Sequence, residues 1–134
     1  MFWGIEFQLI KALLERGKGM NDREILERDD LEHKALIVSV SRNWDGRTAS
    51  NLYAAARFCW PVRKEKAERE VEIVLACYRR QIAGVFIPTA WHTAPDGDSY
   101  FDGHEAPGEI QNLYVGKYLD DDLRFYGGSV RYVI

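Results

Sequence analysis

Two apolar runs with two residues between them constrain this chain more than any other feature. VEIVLACY (71–78) and QIAGVFIP (81–88) are rich in β-branched and aromatic residues, and only Arg79-Arg80 separates them. That spacing predicts a β-hairpin, ended by Pro88. A third run, ALIVSVS (35–41), is bounded by charge and predicts a buried strand. Between the strands, Thr48 or Ser50 can cap a helix that runs to about Phe58, with Leu52, Ala55, Ala56 and Cys59 in helical register. Trp60-Pro61 breaks it, and Pro61 opens a second short helix, VRKEKAERE. Residues 92–110 hold two Pro, three Gly and five acids, and predict a long surface loop. QNLYVGKYL (111–119), LRFYG (123–127) and SVRYVI (129–134) predict two or three more strands. Helices confined to one connection imply an α+β fold rather than alternating βαβ units. Five or six short strands would most easily close into a small barrel, with two or three packed helices.

The first 34 residues read differently. Phe2, Ile5, Leu9, Ala12 and Leu13 follow the period of one apolar helix face, and Gly17 and Gly19 stop it. The expected organisation is a helical appendage over 1–19 and a domain over 20–134, with Met20 a second candidate start. MNDREILERDDLEHK (20–34) reads either as a short amphipathic helix with Ile25 and Leu26 inward or as an extended surface arm.

At 134 residues the chain has room for one domain of ordinary globular composition, 46% hydrophobic and 29% charged. The net charge of −3 excludes a polybasic protein whose whole surface grips phosphate. That total conceals a division. Residues 42–80 carry nine bases against five acids, a balance of +4, and residues 92–134 carry three bases against eight acids, a balance of −5. Two cysteines make no disulfide framework and suit a reducing cytoplasm. No apolar run is long enough to span a membrane.

The order LIVSVS, LYAAARFCW, KAEREVEIVLACY, IAGVFIPTAW, YVGKY and RYVI resembles a small bacterial and phage module of the PUA-like superfamily, near its EVE and ASCH branches. The likeness spans about residues 35–134. It rests on a helical LY-x-A-x-R followed by Trp, a hairpin with LA-x-Y then GVF, and a Trp closing that hairpin. The resemblance implies a strand pseudobarrel with helices at its mouth, and a cleft that binds RNA or a modified or flipped nucleobase. The acidic 92–110 segment departs from that pattern and would remodel the rim of such a cleft.

The residues themselves point to a non-catalytic module that binds nucleic acid or a nucleobase. Tyr53, Trp60 and Trp91, with Trp44, supply faces for stacking, and Arg42, Arg47, Arg57 and Lys64 supply phosphate or base-edge contacts. Tyr53 and Arg57 are four apart and share a helix face. The competing reading packs Tyr53 and Trp60 against the hairpin and pairs Arg57 with a carboxylate. Interleaved glutamates likewise make 63–70 an ordinary solvated helix. One alternative is a protein-interaction module or homodimer docking through Phe2, Trp3, Ile5 and Leu9. Another is a small metal-dependent nuclease or hydrolase using His92, Asp96, Asp98, Asp102, His104 and Glu105. That loop fails the spacing of a calcium site, no paired-histidine zinc motif accompanies it, and no cofactor or catalytic signature is present. Cys59 and Cys77 lie in apolar settings and read as small buried hydrophobes.

Overall fold

The computed structural model describes residues 24–47, 49–125 and 128–134, so the expected 1–19 helix and Phe2, Trp3, Ile5 and Leu9 lie outside the described residues. The described chain is a mixed α+β fold on one seven-stranded sheet, with three α-helices. Strands are β1 (Ile25–Leu26), β2 (Ala35–Ser39), β3 (Ile73–Tyr78), β4 (Gln81–Thr93), β5 (Ser99–Glu105), β6 (Tyr118–Leu119) and β7 (Val130–Val133). Helices are α1 (Ala49–Arg57), α2 (Lys64–Glu70) and α3 (Gly108–Tyr114). The sheet order is β1-β6-β4-β3-β2-β7, with β5 on β4.

The hairpin forms as expected: β3 and β4 pair antiparallel from Val74↔Phe86 to Tyr78↔Gln81. Arg79 and Arg80 both take positive φ, 49° and 70°, the backbone of the two-residue turn that matches strand twist. The expected strand at 35–41 also forms, as β2, but it corrects the rule that excluded βαβ order. β2 and β3 are parallel neighbours, Ala35↔Ile73 to Ser39↔Cys77, and α1 and α2 are the crossover between them. Parallel strands need such a crossover.

Both faces of the central strands are buried, which is why they read as unbroken apolar runs. Leu36, Val38, Val74, Ala76 and Phe86 face α1 and α2 in one core, whereas Ile37, Ile73, Leu75, Cys77, Ile82 and Val85 pack with Leu26, Tyr114 and Leu119 in the other. The sheet is open, not closed into the expected barrel. Among the described residues its end strands, β1 and β7, do not pair with each other, so no ladder closes it.

The 92–110 segment is not a long loop. β4 passes through Pro88 and β5 returns along it, from Thr93↔Ser99 to Phe86↔Glu105. Pro88 is tolerated because the register shifts between Pro88 and Ala90, and a bulge needs no ladder N–H there. The strand expected over 111–119 does not form; these residues contribute instead to α3 and the two-residue β6. The 123–127 strand is also absent among the described residues, where a 3₁₀ turn occupies Asp121–Leu123. Residues 24–34 form the extended arm rather than the amphipathic helix: Leu26 is buried, Ile25 is exposed, and β1 pairs parallel with β6.

Gln111 on α3 explains why a helix fits where a strand was expected. β6 pairs with β4 only at Gln81 and β5 only from Phe86 onward; the Ala106 N–H still reaches the Val85 carbonyl at 3.0 Å, but the Val85 N–H falls in the gap between them. The Gln111 carboxamide fills that gap as a peptide group would. Its Oε1 accepts the Val85 N–H at 3.0 Å and its Nε2 donates to the Val85 carbonyl at 2.7 Å. Gln111→Ala leaves the Val85 N–H unpaired and is expected to cost about 1–3 kcal/mol in a urea unfolding titration. An unchanged midpoint would show that the bridge contributes nothing.

Candidate nucleic-acid interface

The structure divides the eight residues singled out from the sequence into a buried set and a surface set. Trp60 and Trp91 belong to the core, at 3% and 4% exposure, so neither can stack on a ligand. Trp60 Nε1 donates to the Ala56 carbonyl at 2.7 Å, and its backbone exchanges two 2.8 Å hydrogen bonds with Ser99. Trp91 packs on Phe101 with ring centroids 5.2 Å apart. A domain this small needs its largest aromatics to fill the space between helix and sheet.

Tyr53 and Arg57 do share a face of α1, and that face closes the outer edge of β5. The Tyr53 hydroxyl accepts the Gly103 N–H at 2.9 Å, and Arg57 Nε donates to the Phe101 carbonyl at 2.9 Å. With the Trp60–Ser99 bridge, three consecutive outward-facing positions of β5 find partners on α1 and its exit. Such capping protects a strand edge that would otherwise pair with another chain. Arg57 also donates from Nη2 to Asp102, and His92 Nε2 meets the other carboxylate oxygen at 2.8 Å. The hydrogen bond from His92, then that from Arg57, holds the Asp102 carboxyl below the usual range. The stability from this link is present above the ordinary carboxylate pKa and is lost as pH falls through the depressed one.

Outside that edge lies a small aromatic surface. Phe58 is 46% exposed and stacks on Tyr100 with centroids 4.6 Å apart and planes at 20°. The Arg57 guanidinium sits 5.4 Å from the Phe58 ring and 5.6 Å from the Tyr100 ring. Sequence reasoning missed Phe58 as a surface group. The signal was present: Leu52, Ala55 and Ala56 point inward, which turns Asn51, Ala54 and Phe58 outward. A groove of about 380 Å³ follows that outward stripe, walled by Asn43 and Asp45.

The loop after β2 comes together with the β3–β4 turn. Ser41 Oγ accepts the Arg79 N–H at 3.0 Å, and Trp44 packs edge-on against Tyr78 at 5.3 Å and 85°. Gly46 presses on that ring so closely that a Cβ there would stand 2.9 Å from Tyr78 Cζ. The Arg79 guanidinium lies over the same ring at 5.1 Å. Exposed Arg42 and Arg47 therefore share one end of the sheet with Arg79, which the sequence offers both as a hairpin-tip contact for nucleic acid and as an ordinary charged turn residue. Lys64 is not part of this group. It lies on α2 in a 3.9 Å pair with Glu68, as the solvated-helix reading expected.

The hydrolase alternative loses its loop, although His92 and Asp102 do meet across β4 and β5. His104 turns to the Glu105 carbonyl, and among the described residues no three His, Cys, Asp or Glu side chains converge as a metal site would need. Burial pushes the Cys77 thiol up to about 12 and raises Cys59 as well, so neither is a ready nucleophile. No described helix is long and apolar enough to cross a membrane. No protein-family model, no curated protein and no solved structure matches this chain.

Proposed function

We propose that this protein binds nucleic acid through the carboxyl end of β2 and the exposed side of α1, without chemistry of its own. The observation that carries the reading is that the loop bearing exposed Arg42 and Arg47 packs, through Ser41 and Trp44, against the turn bearing Arg79. Guanidinium groups pair with phosphate, and the open end of a parallel crossover is where sheets of this kind present ligand sites. The acidic C-terminal third leaves the net positive charge within residues 42–80, which favours selective contact over general polyanion binding. The resemblance of residues 35–134 to PUA-like modules points to the same helix.

Binding that rests on phosphate contacts weakens steeply with salt. Fluorescence anisotropy with short labelled RNA and DNA, from low to high salt, should show a linear fall of log affinity with log salt. Replacing Arg42, Arg47 and Arg79 together by Ala should flatten that slope by about two to three, near one for each phosphate no longer held. Absence of any salt-sensitive signal with RNA and DNA would overturn the reading.

A further inference from the structure

The groove beside Phe58 supports a narrower inference, one that rests on the nucleic-acid reading above. Asn51 and Ala54 on α1 and Phe58 just beyond it form one stripe, spaced by about two helical turns. Ala54 and Ala55 make a low floor against which a flat group can lie. Phe58 closes one end with an exposed ring, already backed by Tyr100 and flanked by Arg57. Asn43 and Asn51 bring carboxamides, which both donate and accept and so can address the polar edge of a base.

The same loop carries charges of both signs. Asp45 lines the groove, and its carboxylate repels a phosphate. Arg42 and Arg47 flank that position in sequence and are exposed. A nucleotide meeting this surface is thus oriented with its base toward the groove and its phosphates toward the arginines. In a duplex the base faces are covered by stacked neighbours and the pairing edges by the partner strand. Neither Phe58 nor the carboxamides could reach them.

We propose that this groove selects single-stranded over double-stranded nucleic acid by taking an unpaired base against Phe58, with its edge toward Asn43 and Asn51. The test compares three probes at one salt concentration: a short single strand, the same strand with abasic sites throughout its interior, and the same strand annealed to its complement as a blunt-ended duplex. The abasic strand keeps its phosphates and loses only its bases. It is expected to bind about ten-fold more weakly or worse, and so is the duplex. Phe58→Ala and Asn51→Ala, both at exposed positions, should each narrow the gap between the normal and the abasic strand. Equal binding of normal and abasic strands would overturn the base-accepting groove and leave the phosphate reading standing. Failure of all three probes to bind would overturn both. A weakening in Phe58→Ala that is equal for normal and abasic strands would also overturn the groove.

Discussion

Gly103→Ala is expected to lower the thermal midpoint by about 10 °C or more, corresponding to roughly 3 kcal/mol. A Cβ at this position would stand 2.2 Å from the Ile87 carbonyl oxygen and 3.0 Å from the Pro88 Cα. These are backbone atoms, so no rotamer change relieves the collision. β4 and β5 would have to separate at the register shift that admits Pro88. The consequences spread from there. The Gly103 N–H holds the Tyr53 hydroxyl, and the adjacent residue, Asp102, holds Arg57 and His92. Pushing β5 away therefore loosens the packing on α1 as well as the hairpin. Gly84 offers a control, because its added Cβ would come closest to the Leu52 Cδ2 methyl, the far end of a flexible side chain, at 2.7 Å. Differential scanning calorimetry of both variants should show the larger fall for Gly103→Ala. A fall of less than about 2 °C there, well under 1 kcal/mol for a chain of this size, would mean the bulge register is wrong.

Trp60→Ala is expected to cost about 3–5 kcal/mol, a large share of the roughly 5–15 kcal/mol that ordinarily separates folded from unfolded states. The indole fills the junction between the exit of α1 and β5, with its Nε1–H on the Ala56 carbonyl. Truncation leaves a cavity and removes that hydrogen bond together. Urea titration measures the destabilisation. Trp60→Phe separates structure from binding, since it keeps most of the volume and removes the indole donor. It should lower the midpoint by less than Trp60→Ala and leave affinity for single strands unchanged. An unaltered urea midpoint with abolished binding would put Trp60 back on the binding surface.

The contrast between Trp60 and Phe58 shows how far residue type alone reaches. Both sit at the end of the same helix and both are aromatic. From its residue type, Trp60 reads either as a stacking face for a ligand or as packing against the hairpin. Helical register decides: the chain turns at Trp60-Pro61 so that the indole faces β5, while Phe58 follows Asn51 and Ala54 outward. Likewise, the sequence puts Arg57 on the correct helix and beside Tyr53, but its partners are the Phe101 carbonyl and Asp102. Those partners lie 44 and 45 residues away, in a segment whose Pro and Gly content mimics a loop. A glycine at 103 is there for close strand contact, not for a turn, and composition does not distinguish the two uses.

Local features were legible in the chain alone. Continuous apolar runs specified the hairpin and β2, a helix signal specified α1 and α2, and the charge division marked a basic segment over 42–80. Each depends on neighbours within a turn or a strand, where periodicity and turn chemistry act directly. The parallel pairing of β2 with β3, the return of β5 along β4 and the bridging of Val85 by Gln111 emerge only in three dimensions. So does the sorting of aromatics into core and surface. These outcomes depend on contacts between residues far apart in the chain, whose energy arises only when both faces of the sheet are covered. The hairpin that limited the fold at the outset thus became the centre of a two-sided open sheet, with its Arg79 carried to the same end as Arg42 and Arg47.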